Sequence, residues 1–175
     1  MSSTEMHEYS LDESEQLVVF ELANELYGVD IGAVNTIIRM QEVTRIPRTP
    51  DYVEGVINLR GSIIPVVDLR TRFGLGAGER TKASRIVVVE ALGLMIGMVV
   101  DAVAETLRLP SDAIEPPSPV VTSVGTEYIR GVGKQENRLV ILLDIDRVLT
   151  SEEMASLAKV SKRAQKAQES ADKAA

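Results

Sequence analysis

GVINLRGSIIPVVDLRTRF, at Gly55–Phe73, contains two runs rich in Val and Ile, at Val56–Leu59 and Ile63–Val67. Branched side chains of this kind favour extended backbone, because their Cβ substituents restrict χ1 in a helix. The polar Arg60-Gly61-Ser62 between the runs predicts a tight turn, in which Gly61-Ser62 supplies the positive φ. The stretch therefore predicts a β-hairpin with Arg60 beside its turn.

The end of this hairpin carries two further predictions. Pro65 has no N–H to donate to a neighbouring strand, which indicates an edge position or a bulge. Asp68 stands where a carboxylate can cap a short helical turn at Leu69–Phe73. Two interpretations of Arg60 remain open on this stretch alone: a partner-binding residue, or a solvated arginine on an ordinary hairpin, which is the simpler of the two.

The composition limits the chemistry that the 175-residue chain can perform. It has no cysteine, which excludes a disulfide and a thiolate nucleophile, and its single histidine is His7, so that neither a histidine base nor a histidine-rich metal site is expected. Residues 1–15 contain five acids and no Lys or Arg, which predicts a disordered acidic leader. With 3% aromatic residues and no clustered basic face, nucleic-acid binding is not expected either.

The hydrophobic pattern predicts a mostly β chain. Ile31, Val34, Ile37 and Ile38 recur at helical spacing after Asp30, which predicts a short capped helix. Thr150 and Glu153 form a capping box that opens a helix at 151–160, followed at 161–175 by a polar tail that is either a fraying helix or disordered. Further strands are predicted at Gln16–Ala23, Leu26–Val29, Ile86–Ala91, Met95–Val100, Val103–Leu109, Tyr128–Val132 and Leu139–Leu143.

An internal repeat links the two halves. Tyr27-Gly28-Val29 aligns with Ile96-Gly97-Met98 at an offset of 69, and Asp51–Val56 aligns with Glu127–Val132 at an offset of 76. IIPVVDL at Ile63–Leu69 parallels LVILLDI at the same offset of 76. Each unit is too small to bury much apolar surface alone. The repeat predicts two packed barrels at roughly 16–82 and 83–150, with an exchange of strands between them left open.

No enzyme is predicted. Asp68 and Asp144 occupy equivalent positions at strand ends, where helix capping explains them better than a catalytic pair does. GLGAGER, at Gly74–Arg80, lacks the spacing of a phosphate-binding loop and is interpreted as a solvent-exposed loop. Neither a metal nor a cofactor is expected.

Several motifs together resemble the CheW family of bacterial chemotaxis coupling proteins. They are TRIP at Thr44–Pro47, GVINLRG at Gly55–Gly61, IPVVDLR at Ile64–Arg70, YGVDI at Tyr27–Ile31 and TEYIRGVG at Thr126–Gly133. The resemblance covers roughly residues 16–157. It implies two packed five-stranded SH3-like barrels, no enzymatic activity, and an adaptor that couples chemoreceptors to the histidine kinase CheA.

The resemblance also implies partners and sites. The cytoplasmic tip of a receptor, a helical hairpin, is expected to bind a groove, with receptor-binding candidates Val34, Ile37, Asn58, Arg60 and Val103. The regulatory domain of CheA, which shares the fold, is expected at Arg39, Met40, Thr44 and Gly55. For Val34 and Ile37 the alternative is core packing, for Arg60 an intramolecular salt bridge, and for Asn58 a hydrogen bond within the turn. The expected location is the cytoplasm, at membrane-associated arrays, with monomer and weak self-association both left open.

Three other functions remain as alternatives. The first alternative is a coupling protein of a different array, such as one for surface motility. The second is a detached piece of a larger signalling protein. The third alternative is a small-ligand-binding or hydrolytic barrel that uses Asp68 and Asp144. The start at Met1 and the polar tail favour a stand-alone protein, and the repeat places the two carboxylates in separate units.

Overall fold

The computed structural model describes residues 14–76, 78–117 and 126–174, and about half of them are in strands. The strands are β1 (Ser14–Leu22), β2 (Glu25–Asp30), β3 (Val34–Arg39), β4 (Val53–Leu59), β5 (Ser62–Asp68), β6 (Arg85–Ala91), β7 (Leu94–Val100), β8 (Ala102–Pro110), β9 (Ile114–Glu115), β10 (Ile129–Gln135) and β11 (Arg138–Leu143). The α-helices are α1 (Leu69–Arg72) and α2 (Ser151–Ala174). The prediction of a mostly β fold with a C-terminal helix is confirmed.

The strands form two sheets, and each sheet contains strands from both units of the sequence repeat. One sheet has the order β8-β1-β2-β11-β10-β9 and the other β3-β6-β7-β5-β4. Two five-stranded units were predicted, and the first sheet gains a sixth strand from the two-residue β9. Because the first sheet combines strands from both ends of the chain, strands are exchanged across the expected boundary at 82 and 83. The domain boundaries themselves stay a prediction.

The strand order supports the internal duplication. Shifting by the repeat offsets replaces β8, β1, β2, β11 and β10 by β3, β6, β7, β5 and β4, which is the order of the second sheet. The parallel pairs obey the same rule, since Gly28 lies beside Leu142 and Gly97 lies beside Val66. Each unit of the repeat therefore contributes two strands to the sheet that is formed mainly by the other unit.

The core consists of three clusters. The central cluster lies between the two sheets and includes Phe20, Tyr27, Val87, Met98 and Ile141. Each sheet also encloses a smaller cluster of its own. One contains Leu17 and Leu142, and the other contains Ile86 and Val88. In β6 the side chains alternate between the central cluster and the inside of the sheet, so this strand is buried on both faces. This explains its unbroken apolar sequence.

The predicted hairpin is confirmed as β4–β5, with two differences in detail. Positive φ occurs at Arg60 (53°) and Gly61 (87°) rather than at Gly61 and Ser62. Of the two alternatives predicted for Pro65, the edge position is wrong, because β5 lies between β7 and β4, and the bulge of this hairpin lies on β4, between Val53 and Gly55. Pairing with β7 begins only at Val66, however, so Pro65 stands where the ladder has not yet started. The predicted cap is confirmed, since Asp68 Oδ1 accepts a hydrogen bond from the Arg70 N–H at 3.0 Å.

The helix predicted after Asp30 is wrong. Ile31–Ala33 is a single 3₁₀ turn, which Asp30 does cap, and Val34 begins β3. A β-bulge between Val34 and Thr36 adds one residue to the strand. It places Val34 and Ile37 opposite Val89 and Val87, both in the central cluster. A bulged strand thus reproduces the three-residue spacing of a helix.

The two ends of the chain complete the comparison. Of the predicted acidic leader, Ser14 and Glu15 belong to β1 and residues 1–13 lie outside the described residues. The predicted capping box is confirmed, because Thr150 and Glu153 exchange hydrogen bonds of 2.8 and 3.1 Å. Beyond Ser161 the chain continues as helix through Ala174. Among the helices described, none is long and apolar enough to cross a membrane.

Candidate functional site

The turn between β4 and β5 presents Arg60 at the surface. Asn58 Oδ1 accepts a hydrogen bond from the Gly61 N–H at 2.9 Å, so Asn58 holds the turn, as its alternative interpretation predicted. Arg60 is exposed, and no ion pair joins it to any acid within residues 14–76, 78–117 and 126–174. The intramolecular salt bridge considered for Arg60 is therefore absent from this part of the chain, and its guanidinium is available to a partner.

Arg60 lies at the side of a groove of about 360 Å³, called here the Arg60 groove. Its apolar lining includes Leu59, Leu94 and Met95, and its polar lining includes Asn35 and Ser161. Strand ends of the five-stranded sheet form most of this groove, and α2 contributes Ser161. An apolar lining with one guanidinium suits an amphipathic helix that carries a carboxylate.

Val34, Ile37 and Val103 lie on edge strands rather than in the Arg60 groove. Ile37 is 38% exposed, whereas Val34 is half-buried against the central cluster. Val103 is the repeat equivalent of Val34 and has the same surroundings, half-buried against that cluster on β8 of the other sheet. Val34 therefore packs partly in the core, as its alternative interpretation predicted, and so does Val103, whereas Ile37 leaves an apolar side chain exposed.

Thr44 and Gly55 belong to one backbone contact. Thr44 and Val56 exchange two backbone hydrogen bonds of 2.9 and 2.8 Å. Gly55 has a φ of +145°, and a Cβ on it would lie 2.1 Å from the Thr44 carbonyl oxygen. The predicted close backbone approach at Gly55 is confirmed. Since Gly55 is buried, it acts by allowing the segment at Thr44 to lie against β4.

Arg39 and Met40 lie at the end of the edge strand β3. Arg39 stands directly opposite Arg85 on β6, and like charges in that position are destabilising. Both arginines line a groove of about 420 Å³ together with Met40 and Lys82. Met40 also packs partly against the cluster inside its own sheet. The structure thus brings Arg39 and Met40 into one basic groove, which suits an acidic partner segment.

A cluster around Arg72 was missed by the sequence analysis. The Arg72 guanidinium lies 5.1 Å from the ring centres of both Tyr52 and Tyr128 and 2.8 Å from Glu153 Oε1. The Tyr52 hydroxyl donates a hydrogen bond to Glu153 Oε2 at 2.7 Å. Tyr52 and Tyr128 are equivalent in the repeat, so their matched positions were the available signal. The cluster anchors α2 to both halves of the chain.

The same cluster shifts two pKa values. Burial, then the hydrogen bond and charge of Glu153, raises the pKa of Tyr52 to about 12 in spite of Arg72. Burial also raises the pKa of Glu153, but hydrogen bonds from Thr150 and Tyr52 and the charge of Arg72 outweigh it. The pKa of Glu153 therefore lies below its ordinary value.

Asp68 and Asp144 act as caps. Asp144 Oδ1 accepts from the Asp146 N–H at 3.1 Å, just as Asp68 caps α1. Asp68 is also 3.3 Å from an Arg80 nitrogen, which leaves it in a structural network. Within the described part of the chain, no group of three or more His, Cys, Asp or Glu side chains is placed to hold a metal ion.

Comparison with known proteins adds the family to this geometry. The family model described as CheW-like domain matches residues 16–153. The chain belongs to the CheW-like family. Two CheW relatives, each named Chemotaxis protein CheW, come from Klebsiella aerogenes and Treponema pallidum. The first is 38% identical over 85% of this chain and 89% of its own, and the second 37% identical over 84% and 89%.

A solved CheW structure agrees with this assignment. The scaffolding protein TtCheW from Thermoanaerobacter tengcongensis matches with a TM-score of 0.74 and 42% sequence identity, over 79% of this chain and 90% of that one. CheW proteins are chemotaxis scaffold proteins, and the predicted family and fold are confirmed.

Proposed function

We propose that this chain is a non-enzymatic adaptor that couples chemoreceptors to the histidine kinase CheA in chemotaxis arrays. The observation that carries the proposal is Arg60, an exposed guanidinium with no acidic partner in the described ranges, beside a groove lined by apolar side chains. Membership of a scaffold family supports it. We place the adaptor in the cytoplasm, recruited to membrane-associated receptors.

The receptor side of the proposal uses the Arg60 groove. The helical hairpin at a receptor's cytoplasmic tip lays apolar side chains against Leu59, Leu94 and Met95, and one of its carboxylates pairs with Arg60. We also assign Ile37 to the receptor contact, because its apolar side chain is 38% exposed on the edge strand β3. Asn58 takes part indirectly, by holding the turn.

The kinase side of the proposal uses the end of β3 and the segment that follows it. Arg39 and Met40 line the basic groove, and Thr44 is exposed beside β4. We assign these three residues to the CheA regulatory domain and give Gly55 the supporting role of holding Thr44 in place. A charge reversal, Arg39→Glu, is expected to weaken kinase binding and to leave receptor binding unchanged.

The test measures the two partners separately and together. A receptor signalling fragment and a CheA regulatory domain from the same organism are titrated into the purified chain by calorimetry. Simultaneous binding of both supports the adaptor function. Binding of neither, with folded components, contradicts it.

Arg60→Ala is the matching variant. We expect it to stay folded and to lose receptor affinity, because the guanidinium makes no ion pair with an acid among the residues that the structure describes. Arg108→Ala is the control, since Arg108 is an exposed arginine whose Nη1 donates to Ser14 Oγ at 3.2 Å on the other sheet. Equal receptor affinity for both variants would count against the assigned role of Arg60.

A further inference from the structure

The middle of α2 lies against the hairpin that carries Arg60. Ser161 Oγ donates a hydrogen bond to the Ile63 carbonyl at 2.7 Å, and the Ile63 N–H donates to Gln165 Oε1 at 2.9 Å. Gln165 Nε2 in turn donates to the Gly61 carbonyl at 3.3 Å. Two side chains of one helix thus bind both polar backbone groups of Ile63 and the carbonyl next to Arg60.

These hydrogen bonds fill a gap in the sheet. Pairing between β5 and β7 covers Val66–Asp68, and Pro65 has no N–H that could extend it. Ile63 directs its N–H and carbonyl away from β4, towards the side where β7 no longer pairs. Backbone groups left unpaired there would be unfavourable. The helix therefore takes the place of a missing strand beside the turn.

The repeat supplies an internal comparison. The hairpin β10–β11 is equivalent to β4–β5, and its Glu136 has the same φ of 53° as Arg60. At the position equivalent to Ile63, Leu139 is 44% exposed, whereas Ile63 is half-buried under α2. Within the described part of the chain, the side-chain hydrogen bonds of Ser161 and Gln165 go to the hairpin that carries the arginine. The support is therefore specific to one of two equivalent turns.

We infer that Ser161 and Gln165 are positioning residues for Arg60 in receptor binding, an inference that rests on the proposed function. Asn58 holds the Gly61 N–H and Gln165 holds the Gly61 carbonyl, so the two peptide groups that follow Arg60 in the turn are both fixed. A turn ordered in advance loses less conformational freedom when a partner binds. Ser161 also lines the Arg60 groove, which makes α2 one of its walls.

The test uses Ser161→Ala/Gln165→Ala in the full chain. Its control is Gln168→Ala/Ser170→Ala, which removes the same two kinds of side chain further along α2, beyond the hairpin contacts. We expect the first variant to lower affinity for a receptor signalling fragment by about two- to tenfold, as the loss of a hydrogen-bonded support implies. Affinity for the CheA regulatory domain is expected to be unchanged in both variants.

Two further measurements separate positioning from general stability. In an Arg60→Ala background, Ser161→Ala/Gln165→Ala is expected to cause no additional loss of receptor affinity, because it acts through Arg60. The Ile63 amide, followed by hydrogen exchange, is expected to exchange faster in the variant than in its control.

Three outcomes overturn the inference in distinguishable ways. A wild-type chain that binds no receptor fragment contradicts the proposed function and the inference together. If the wild type binds and Arg60→Ala weakens binding, while Ser161→Ala/Gln165→Ala binds like the wild type, only the inference fails. Additive losses from the two sets of substitutions likewise overturn it alone.

Discussion

Replacing Gly55 by alanine is expected to damage the fold next to the proposed kinase-binding segment. The new Cβ would lie 2.1 Å from the Thr44 carbonyl oxygen and 2.7 Å from its carbon, distances that no side-chain rotation can relieve. The Thr44 segment must move away, and its two hydrogen bonds of 2.9 and 2.8 Å to Val56 are lost. At about 0.5–1.5 kcal/mol each, these bonds account for roughly 1–3 kcal/mol.

Backbone strain adds to this loss. Gly55 has a φ of +145°, which residues other than glycine rarely adopt, so alanine there costs about 1 kcal/mol more. The sum of roughly 2–4 kcal/mol corresponds to a decrease in Tm of about 4–16 °C for a domain of this size. Differential scanning calorimetry measures it directly.

Gly61→Ala is the matched control for Gly55→Ala. Gly61 also has a positive φ, of +87°, but nothing lies within 4 Å of the Cβ that alanine would add. It is expected to cost only the backbone strain, about 1 kcal/mol. Equal decreases in Tm for the two variants would refute the argument, because the close approach to Thr44 would then contribute nothing.

The cluster around Arg72 yields three further predictions. Arg72→Met is expected to lower the Tm more than Arg163→Met on the exposed face of α2, because it leaves Glu153 half-buried without its ion pair. Because the pKa of Glu153 is lowered in the folded protein, the stability that its carboxylate contributes is present above the ordinary pKa of 4.5 and is lost as the pH falls through the pKa of the folded state. Glu153→Gln should therefore flatten the acid limb of a plot of Tm against pH. The raised pKa of Tyr52 acts in the opposite direction: the stability that its neutral hydroxyl contributes is present below pH 10 and is lost as the pH rises to about 12. Tyr52→Phe should remove this loss from the free energy of unfolding measured by urea titration at each pH.

Much of the fold was predictable because its local signals agree with its tertiary structure. Two-residue turns that contain asparagine or glycine, Ala23-Asn24 and Leu92-Gly93, join pairs of strands that the sequence predicted. The capping residues Asp68 and Thr150 marked the starts of α1 and α2. Where a single side chain satisfies a nearby backbone group, the sequence carries the information in full.

The errors come from features that depend on distant strands. The bulge at Val34 and Thr36 is set by the pairing of β3 with β6, and it gave an edge strand the spacing of a helix. The surroundings of Pro65 likewise depend on where β7 begins to pair. The polar sequence beyond Ser161 gave no sign of a partner, because Ser161 and Gln165 bond to a hairpin about one hundred positions earlier.

The internal duplication gives the fold two matched hairpins, and these two hairpins differ in charge and in support from α2. A symmetric pair of hairpins offers two equivalent turns, and here one carries Arg60 and the other Glu136, of opposite charge. The helix α2 bonds to the hairpin that carries Arg60, through Ser161 and Gln165. Arg72 breaks the symmetry again, since one guanidinium is shared by the equivalent rings of Tyr52 and Tyr128. Unequal charge and unequal support on the matched turns therefore give the two halves of one fold different surfaces.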